Sequence, residues 1–155
     1  MRFFLIDRVT AWVPRERAEA VKNISLSEDY LRDHFPRTPT MPGVLMLEAM
    51  AQLSGILLED AVLATQGRKT TAVLSIVERA KFRRLVKPGD QLRIVVDGVE
   101  VREASGRSRG KAFVGDDLAA SADLMFTWFD LKDEHLQKKR QEVVDIWMRG
   151  VRNGA

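Results

Sequence analysis

Three prolines, Pro36, Pro39 and Pro42, fall within residues 36–42, and almost every residue from Val44 to Leu58 is apolar. This junction constrains the chain more than anything else in it. Each proline fixes φ and removes a backbone donor, so residues 34–42 form a stiff irregular loop, neither helix interior nor central strand. The run that follows is made of good helix formers with no β-branched cluster. Pro42 suits a helix start, where its missing N–H would have no partner anyway. The pattern predicts a helix over residues 42–64.

Such a helix has no polar face in its first four turns, and a helix apolar all round is a buried one. A membrane span is excluded, because the run is shorter than the roughly 20 residues needed and carries Glu48 and Gln52. Those two are four apart and project from one stripe. A carboxylate on a buried helix is costly unless paired or protonated, and desolvation would raise its pKa, as suits a general acid. His34 opens the rigid loop and supplies a titratable base. A lone histidine in a proline-rich loop is commonly structural, and Glu48 alone could be a backbone-bonded buried acid; the surrounding pattern favours chemistry for both.

That pattern, His-Phe-Pro-x-x-Pro-x-Met-Pro-Gly-Val-Leu-x-x-Glu-Ala-x-Ala-Gln, resembles the signature of the 3-hydroxyacyl-acyl-carrier-protein dehydratases of fatty-acid synthesis, the FabZ type. Lys81-Phe82-Arg83-Arg84 with Val86 and Pro88-Gly89-Asp90-Gln91-Leu92 is similar to that family's second block. Residues 122–126 are similar to its closing strand. The likeness spans roughly residues 3 to 127. It implies an α+β hot-dog fold, a curved antiparallel sheet around one long central helix. It implies a homodimer as active unit, or a trimer of dimers, with the His and Glu of one site drawn from different subunits. It implies a substrate carried on acyl carrier protein through phosphopantetheine.

The rest of the chain agrees with one domain, residues 1–129, with residues 130–155 as its helical extension. A length of 155 residues supports a sizeable core. With 45% hydrophobic and 30% charged residues the chain reads as soluble and globular. It contains no cysteine, which removes disulfides and thiolate chemistry, and only two histidines, His34 and His135, which argues against a His-rich metal site. No metal or organic cofactor is expected, and no nucleic acid or membrane span. Residues 1–6 meet Asp7 before any adequate apolar core forms, so no signal peptide is expected and the cytoplasm is the simple location. The net charge of +3 hints at an acidic partner.

In chain order, residues 3–6 read as a short apolar turn or strand, and residues 9–14 as a connection or edge strand. Residues 15–26 read as a strand with an irregularity near Val21, and residues 29–32 as a helical turn led by Ser27-Glu28-Asp29. Gln66-Gly67-Arg68 stops the central helix. Residues 70–77 read as a buried strand, with basic residues 80–86 after it. Pro88-Gly89-Asp90 is a turn. Residues 91–101 alternate as a strand, with a bulge signalled by Gly98. Ser105-Gly106 reads as a hairpin bend, 111–114 as strand, Gly115-Asp116-Asp117 as a second bend and 118–129 as a final strand. Residues 130–151 carry Leu136, Val143, Val144, Trp147 and Val151 at helical spacing, an amphipathic helix of about five turns expected to pack on the outer sheet or at a subunit contact. His135 belongs on its exposed face.

Dehydration needs a base for the C2 proton, an acid for the leaving hydroxyl and donors for charge on the thioester oxygen. His34 is the expected base and Glu48 the acid, directly or through water, with Gln52 positioning it. The Gly43 backbone N–H, at a helix start and without a Cβ, is the expected oxyanion donor. Phe35, Arg37, Met41, Pro42 and Val44 are expected beside the substrate, with Met46 and Met50 as core. Lys81, Arg83, Arg84 and Lys87 are expected to meet the carrier protein and its phosphate, although a charge run is commonly just a solvated face. Two departures bear on substrate range. Arg37 and Asp33 stand where family members commonly have glycine. The alternatives are a hot-dog acyl thioesterase, or a non-catalytic acyl-binding or assembly subunit.

Overall fold

The computed structural model describes residues 4–152. Six strands, β1 (Arg8–Val13), β2 (Arg17–Asn23), β3 (Thr71–Phe82), β4 (Gln91–Val101), β5 (Ser105–Val114) and β6 (Asp117–Phe129), form one antiparallel sheet in the order β1-β2-β4-β5-β6-β3. The 24-residue helix α1 (Gly43–Gln66) lies across it, capped at its end by Gly67 at φ 66°. A left-handed residue there costs glycine little. Residue 3, at the start of the expected N-terminal turn or strand, lies outside the described residues. Leu5 and Ile6 are buried in irregular chain.

Alternation decides which face of each strand meets α1. Leu92, Ile94 and Val96 of β4 and Leu124 and Phe126 of β6 point inward onto Met50, Leu53, Leu57 and Leu58 of α1, all fully buried. Each such side chain contributes about 1.5–3 kcal/mol of transfer free energy. Strand β5 offers α1 only small residues on its inward face: Gly106, Ser108, Gly110 and Ala112. The helix therefore comes close. A Cβ on Gly110 would lie 2.9 Å from Met50 Cβ, and the Ser108 hydroxyl donates to Ser54 Oγ at 2.9 Å in the core.

This close approach corrects one expectation. Gly106 is not a bend residue: β5 begins at Ser105, and the preceding turn is closed by the Arg102 N–H donating to the Ser105 carbonyl. The glycine is needed because a Cβ there would meet the Trp128 ring and Leu58. The irregularity expected near Val21 instead sits in the partner strand, between Val9 and Ala11. The Gly98 bulge is where it was expected, at φ 61° beside the register shift between Asp97 and Glu100.

Strand β3 was expected to be buried and ends near residue 77. It runs to Phe82 and forms the edge of the sheet, with β6 on one side and no neighbour on the other. Val73, Ile76, Val77 and Phe82 are exposed. Its apolar composition signals burial, but only its first residues meet the core, through Ala72 and Leu74; among the described residues nothing pairs with its outer edge.

Helix α2 (Glu134–Arg152) is the expected C-terminal amphipathic helix, but one of the two places expected for it is corrected. It does not lie on the outer sheet face. Trp147 and Met148 are buried in the same core cluster as α1, and α2 packs against β1. Arg140 reaches Glu59 on α1 with two hydrogen bonds, 2.6 and 2.8 Å. His135 is exposed, as its place on the polar face demands. Among the described residues no helix is long and apolar enough to cross a membrane.

Candidate active site

The proline-rich loop is held by backbone bonds rather than by regular structure. Thr40 N–H donates to the His34 carbonyl at 2.8 Å, and Phe35 and Thr38 bond each other's main chains. Thr40 is buried. Met41 N–H donates to the Val86 carbonyl at 2.8 Å, which fastens the loop to the segment after β3. The two motif blocks seen in the sequence are thus tied together at Met41 and Val86.

His34 is half-buried and its ring stacks on Phe35, centroids 4.3 Å apart. Nδ1 lies 3.0 Å from the Thr40 carbonyl oxygen. The Thr40 hydroxyl lies 3.3 Å from the same nitrogen. A carbonyl only accepts, so the shorter contact favours the neutral tautomer with its proton on Nδ1 and a lone pair on Nε2. That is the tautomer a general base needs. Thr40 went unremarked in the sequence reading; its position six residues after the histidine, between Pro39 and Pro42, is the only signal of it.

Pro42 caps α1 and Gly43 opens it. The first N–H groups of a helix have no intrahelical acceptor and carry the positive end of the dipole. The Phe82 ring lies over Gly43, so a Cβ there would sit 2.8 Å from Phe82 Cδ1. The edge strand therefore borders the helix start, a contact not foreseen from sequence.

Glu48 lies five residues into α1, roughly 7.5 Å along its axis, and is half-buried rather than enclosed. Its Oε1 accepts a hydrogen bond from Gln52 Nε2 at 3.1 Å. Gln52 Oε1 in turn accepts from the Leu5 N–H at 3.1 Å. The amide oxygen thus faces the Leu5 N–H and its NH2 faces the carboxylate. Val44, Glu48 and Gln52 lie on the stripe of α1 turned away from the sheet, and Val44 is 65% exposed. The first turns of the helix are thus open along this stripe, whereas its middle, residues 53–58, is buried all round. Glu59, which the sequence reading passed over, continues this stripe one heptad beyond Gln52. Burial pushes its carboxyl up from the ordinary range, and Arg140 and the Ala72 N–H oppose the shift.

Phe35 and Arg37 are exposed, Met41 is buried, and Pro42 is half-buried. Lys81, Arg83, Arg84 and Lys87 are all exposed. Arg84 pairs with Asp117, and the Arg83 N–H donates to the Ala119 carbonyl. Lys81 thus precedes Phe82 at the end of β3, and Arg83, Arg84 and Lys87 follow it on the segment that also anchors Met41.

The sequence profile described as the FabA-like domain matches residues 1–123. A 3-hydroxyacyl-[acyl-carrier-protein] dehydratase FabZ from Pelotomaculum thermopropionicum is 45% identical over 125 residues, covering 80% of this chain and 86% of that protein. The FabZ of Legionella pneumophila strain Lens is 41% identical over 130 residues, covering 84% and 87%. Among solved structures, the dehydratase heterocomplex ApeI:P from Xenorhabdus doucetiae superposes with a TM-score of 0.69 at 16% identity, covering 87% of this chain and 88% of that one. A mutant of the phenylacetic acid degradation protein PaaI from Thermus thermophilus superposes at 0.57 with 18% identity, covering 79% and 92%. The structural likenesses establish the hot-dog fold, and the sequence matches establish descent: the chain belongs to the FabA-like family, as a dehydratase of the FabZ type.

Proposed function

We propose that this chain removes water from 3-hydroxyacyl groups carried on acyl carrier protein, giving the trans-2-enoyl product in fatty-acid synthesis. The observation that carries the reading is the pair of fixed groups beside the start of α1: His34 with Nδ1 committed to the Thr40 carbonyl, and Glu48 held by Gln52. His34 Nε2 takes the C2 proton. The Gly43 N–H meets the charge that grows on the thioester oxygen. Glu48 gives its proton to the C3 hydroxyl, the C3–O bond breaks, and water leaves as the C2=C3 bond forms. Return of the proton from imidazolium to carboxylate closes the cycle. General acid and base each supply about 10²–10⁴ in rate, and an oxyanion donor a similar factor.

The active unit is a homodimer. The outer edge of β3 has no strand beside it, Val44, Phe35, Ile76 and Phe82 are exposed, and Phe82 lies over Gly43 at the helix start. Exposed edges and large apolar patches are features that proteins cover. A second copy would cover this one, enclose Glu48 and supply the His34 of the partner site. Lys81, Arg83 and Lys87 receive the acidic carrier protein and its phosphate. Arg37 stands at the mouth. The cytoplasm is where such a carrier-bound substrate is met.

The test is turnover of a 3-hydroxyacyl thioester, followed by enoyl absorbance and free thiol. Enoyl product without thiol is expected. His34→Ala and Glu48→Gln should each lower kcat by about 10²-fold or more while the melting temperature stays within a few degrees. Thiol release would make the chain a thioesterase instead. Full turnover in either variant would remove that residue from the mechanism.

A further inference from the structure

Strand β3 does not keep step with its neighbour. Glu78 lies opposite Asp123 of β6 and Lys81 opposite Ser121, so β3 spends one residue more than β6 between these pairs. The extra residue, within 79–80, makes a β-bulge. Arg79 has φ 52°, a left-handed conformation uncommon in residues other than glycine. Its Nε donates to Asp123 Oδ2 at 2.8 Å, and Arg109 Nε lies 3.6 Å from the other oxygen of this buried carboxylate. The bulge decides which side chain reaches the start of α1. Val77 lies opposite the fully buried Leu124, on the face turned to α1. Strict alternation from Val77 would turn Lys81 inward and Phe82 outward. The extra residue reverses this, because a slip of one residue exchanges the two faces. Phe82 pairs with the buried Ala120, and its ring stands where a Gly43 side chain would project, with Cδ1 2.8 Å from the Cβ position.

We infer that Phe82 is the apolar cover of the reacting centre at the start of α1, and that Arg79, through the bulge, is the positioning residue that puts it there; this rests on the reading of the site as a dehydratase centre with the Gly43 N–H as oxyanion donor. The first amides of α1 have no acceptor within the helix, so water competes for them. A ring against Gly43 keeps water from one side of these amides, and its other face, half-exposed, is left for the thioester. Donors aimed at growing charge act more strongly where water is excluded. Without the bulge the Lys81 ammonium would stand there instead. Both flanks of the bulge are pinned, Glu78 by its pairing with Asp123 and Arg83 by its N–H donating to the Ala119 carbonyl at 2.8 Å. A change of φ at Arg79 is therefore absorbed between them, where Phe82 lies.

The experiment measures kcat and KM on a 3-hydroxyacyl thioester for the wild type, Phe82→Ala, Phe82→Leu, Arg79→Val, Arg79→Gly and the Phe82→Ala/Arg79→Val double variant. Charge on the thioester oxygen grows only on the way to the transition state. Phe82→Ala should therefore lower kcat by about tenfold with KM within about twofold, and Phe82→Leu should recover most of it. Valine resists a positive φ, so Arg79→Val should lose about tenfold in kcat. Glycine takes that φ without strain, so Arg79→Gly should recover most of that loss although it cannot pair with Asp123. In the double variant kcat should equal that of Phe82→Ala alone, because both changes act through one ring. An unchanged kcat in Phe82→Ala, an Arg79→Gly as impaired as Arg79→Val, or losses that multiply in the double variant would overturn the inference. So would losses that track a change of assembly state, read by light scattering. Should Arg79→Val fail to fold, Asp123→Asn replaces it in the same cycle with the same expected loss. His34→Ala separates the inference from the reading beneath it. An inactive His34→Ala with an unaffected Phe82→Ala rejects Phe82 alone, and an active His34→Ala rejects both.

Discussion

The carboxylate of Glu59 on α1 accepts two hydrogen bonds from the guanidinium of Arg140 on α2, at 2.6 and 2.8 Å. Burial is the larger influence on this carboxyl and raises its pKa above the ordinary 4.5 even with Arg140 in place. The folded protein therefore binds the proton more tightly than the unfolded chain. That contribution to stability is complete below about pH 4.5 and disappears as pH rises through the folded value. Glu59→Gln cannot titrate. The stability of the wild type relative to Glu59→Gln, from urea unfolding, should fall as pH rises above the ordinary 4.5. A relative stability that rises over that range would contradict the assignment. Arg140→Ala leaves a largely buried carboxylate without its hydrogen-bond partner and should cost about 1–3 kcal/mol at neutral pH.

A different measurement bears on the edge of the sheet. Ile76 is half exposed on β3, which lacks a neighbour on its outer side. In the proposed dimer it is covered. Ile76→Asp would bury an unpaired charge there, a cost of several kcal/mol. Size-exclusion chromatography with light scattering should find a dimer or larger assembly for the wild type and a monomer for Ile76→Asp. Turnover should vanish with the dimer. A wild-type monomer with full turnover would refute the proposal.

The basic segment is tested by changing the substrate. Reversing Lys81, Arg83 and Lys87 to Glu should raise KM for a carrier-protein substrate by about tenfold or more. Against a short thioester with no protein attached, KM and kcat should stay near wild type. Equal effects on both substrates would make these cations part of the fold. Arg84 is left out because its pairing with Asp117 gives it a structural role.

The sequence exposed the elements that depend on local chemistry and hid those that depend on neighbours. The helix start at Pro42, the stop at Gly67 and the bulge at Gly98 follow from φ restrictions carried by single residues. His34, Gly43, Glu48 and Gln52 were legible as a set because unlike residues recur at fixed offsets. Burial was misjudged where it depends on other chains or distant segments. Strand β3 has the composition of a buried strand, yet most of it beyond Leu74 is exposed. Gly106 looked like a turn because its glycine serves an approach by Leu58 and Trp128, far away in sequence. The Leu5–Gln52 bond spans 47 residues and passes through a backbone N–H, which no side-chain pattern can reveal.

The central claim is that the base and acid of one site come from two subunits. His34→Ala and Glu48→Gln proteins, each inactive, are unfolded together, refolded as a mixture and assayed. In a mixed dimer the intact His34 of one chain faces the intact Glu48 of the other, so one of its two sites is whole. Random pairing makes half the dimers mixed, and activity should return to about a quarter of wild type. A mixture as inactive as its two components would place both groups of each site in a single chain and contradict the account.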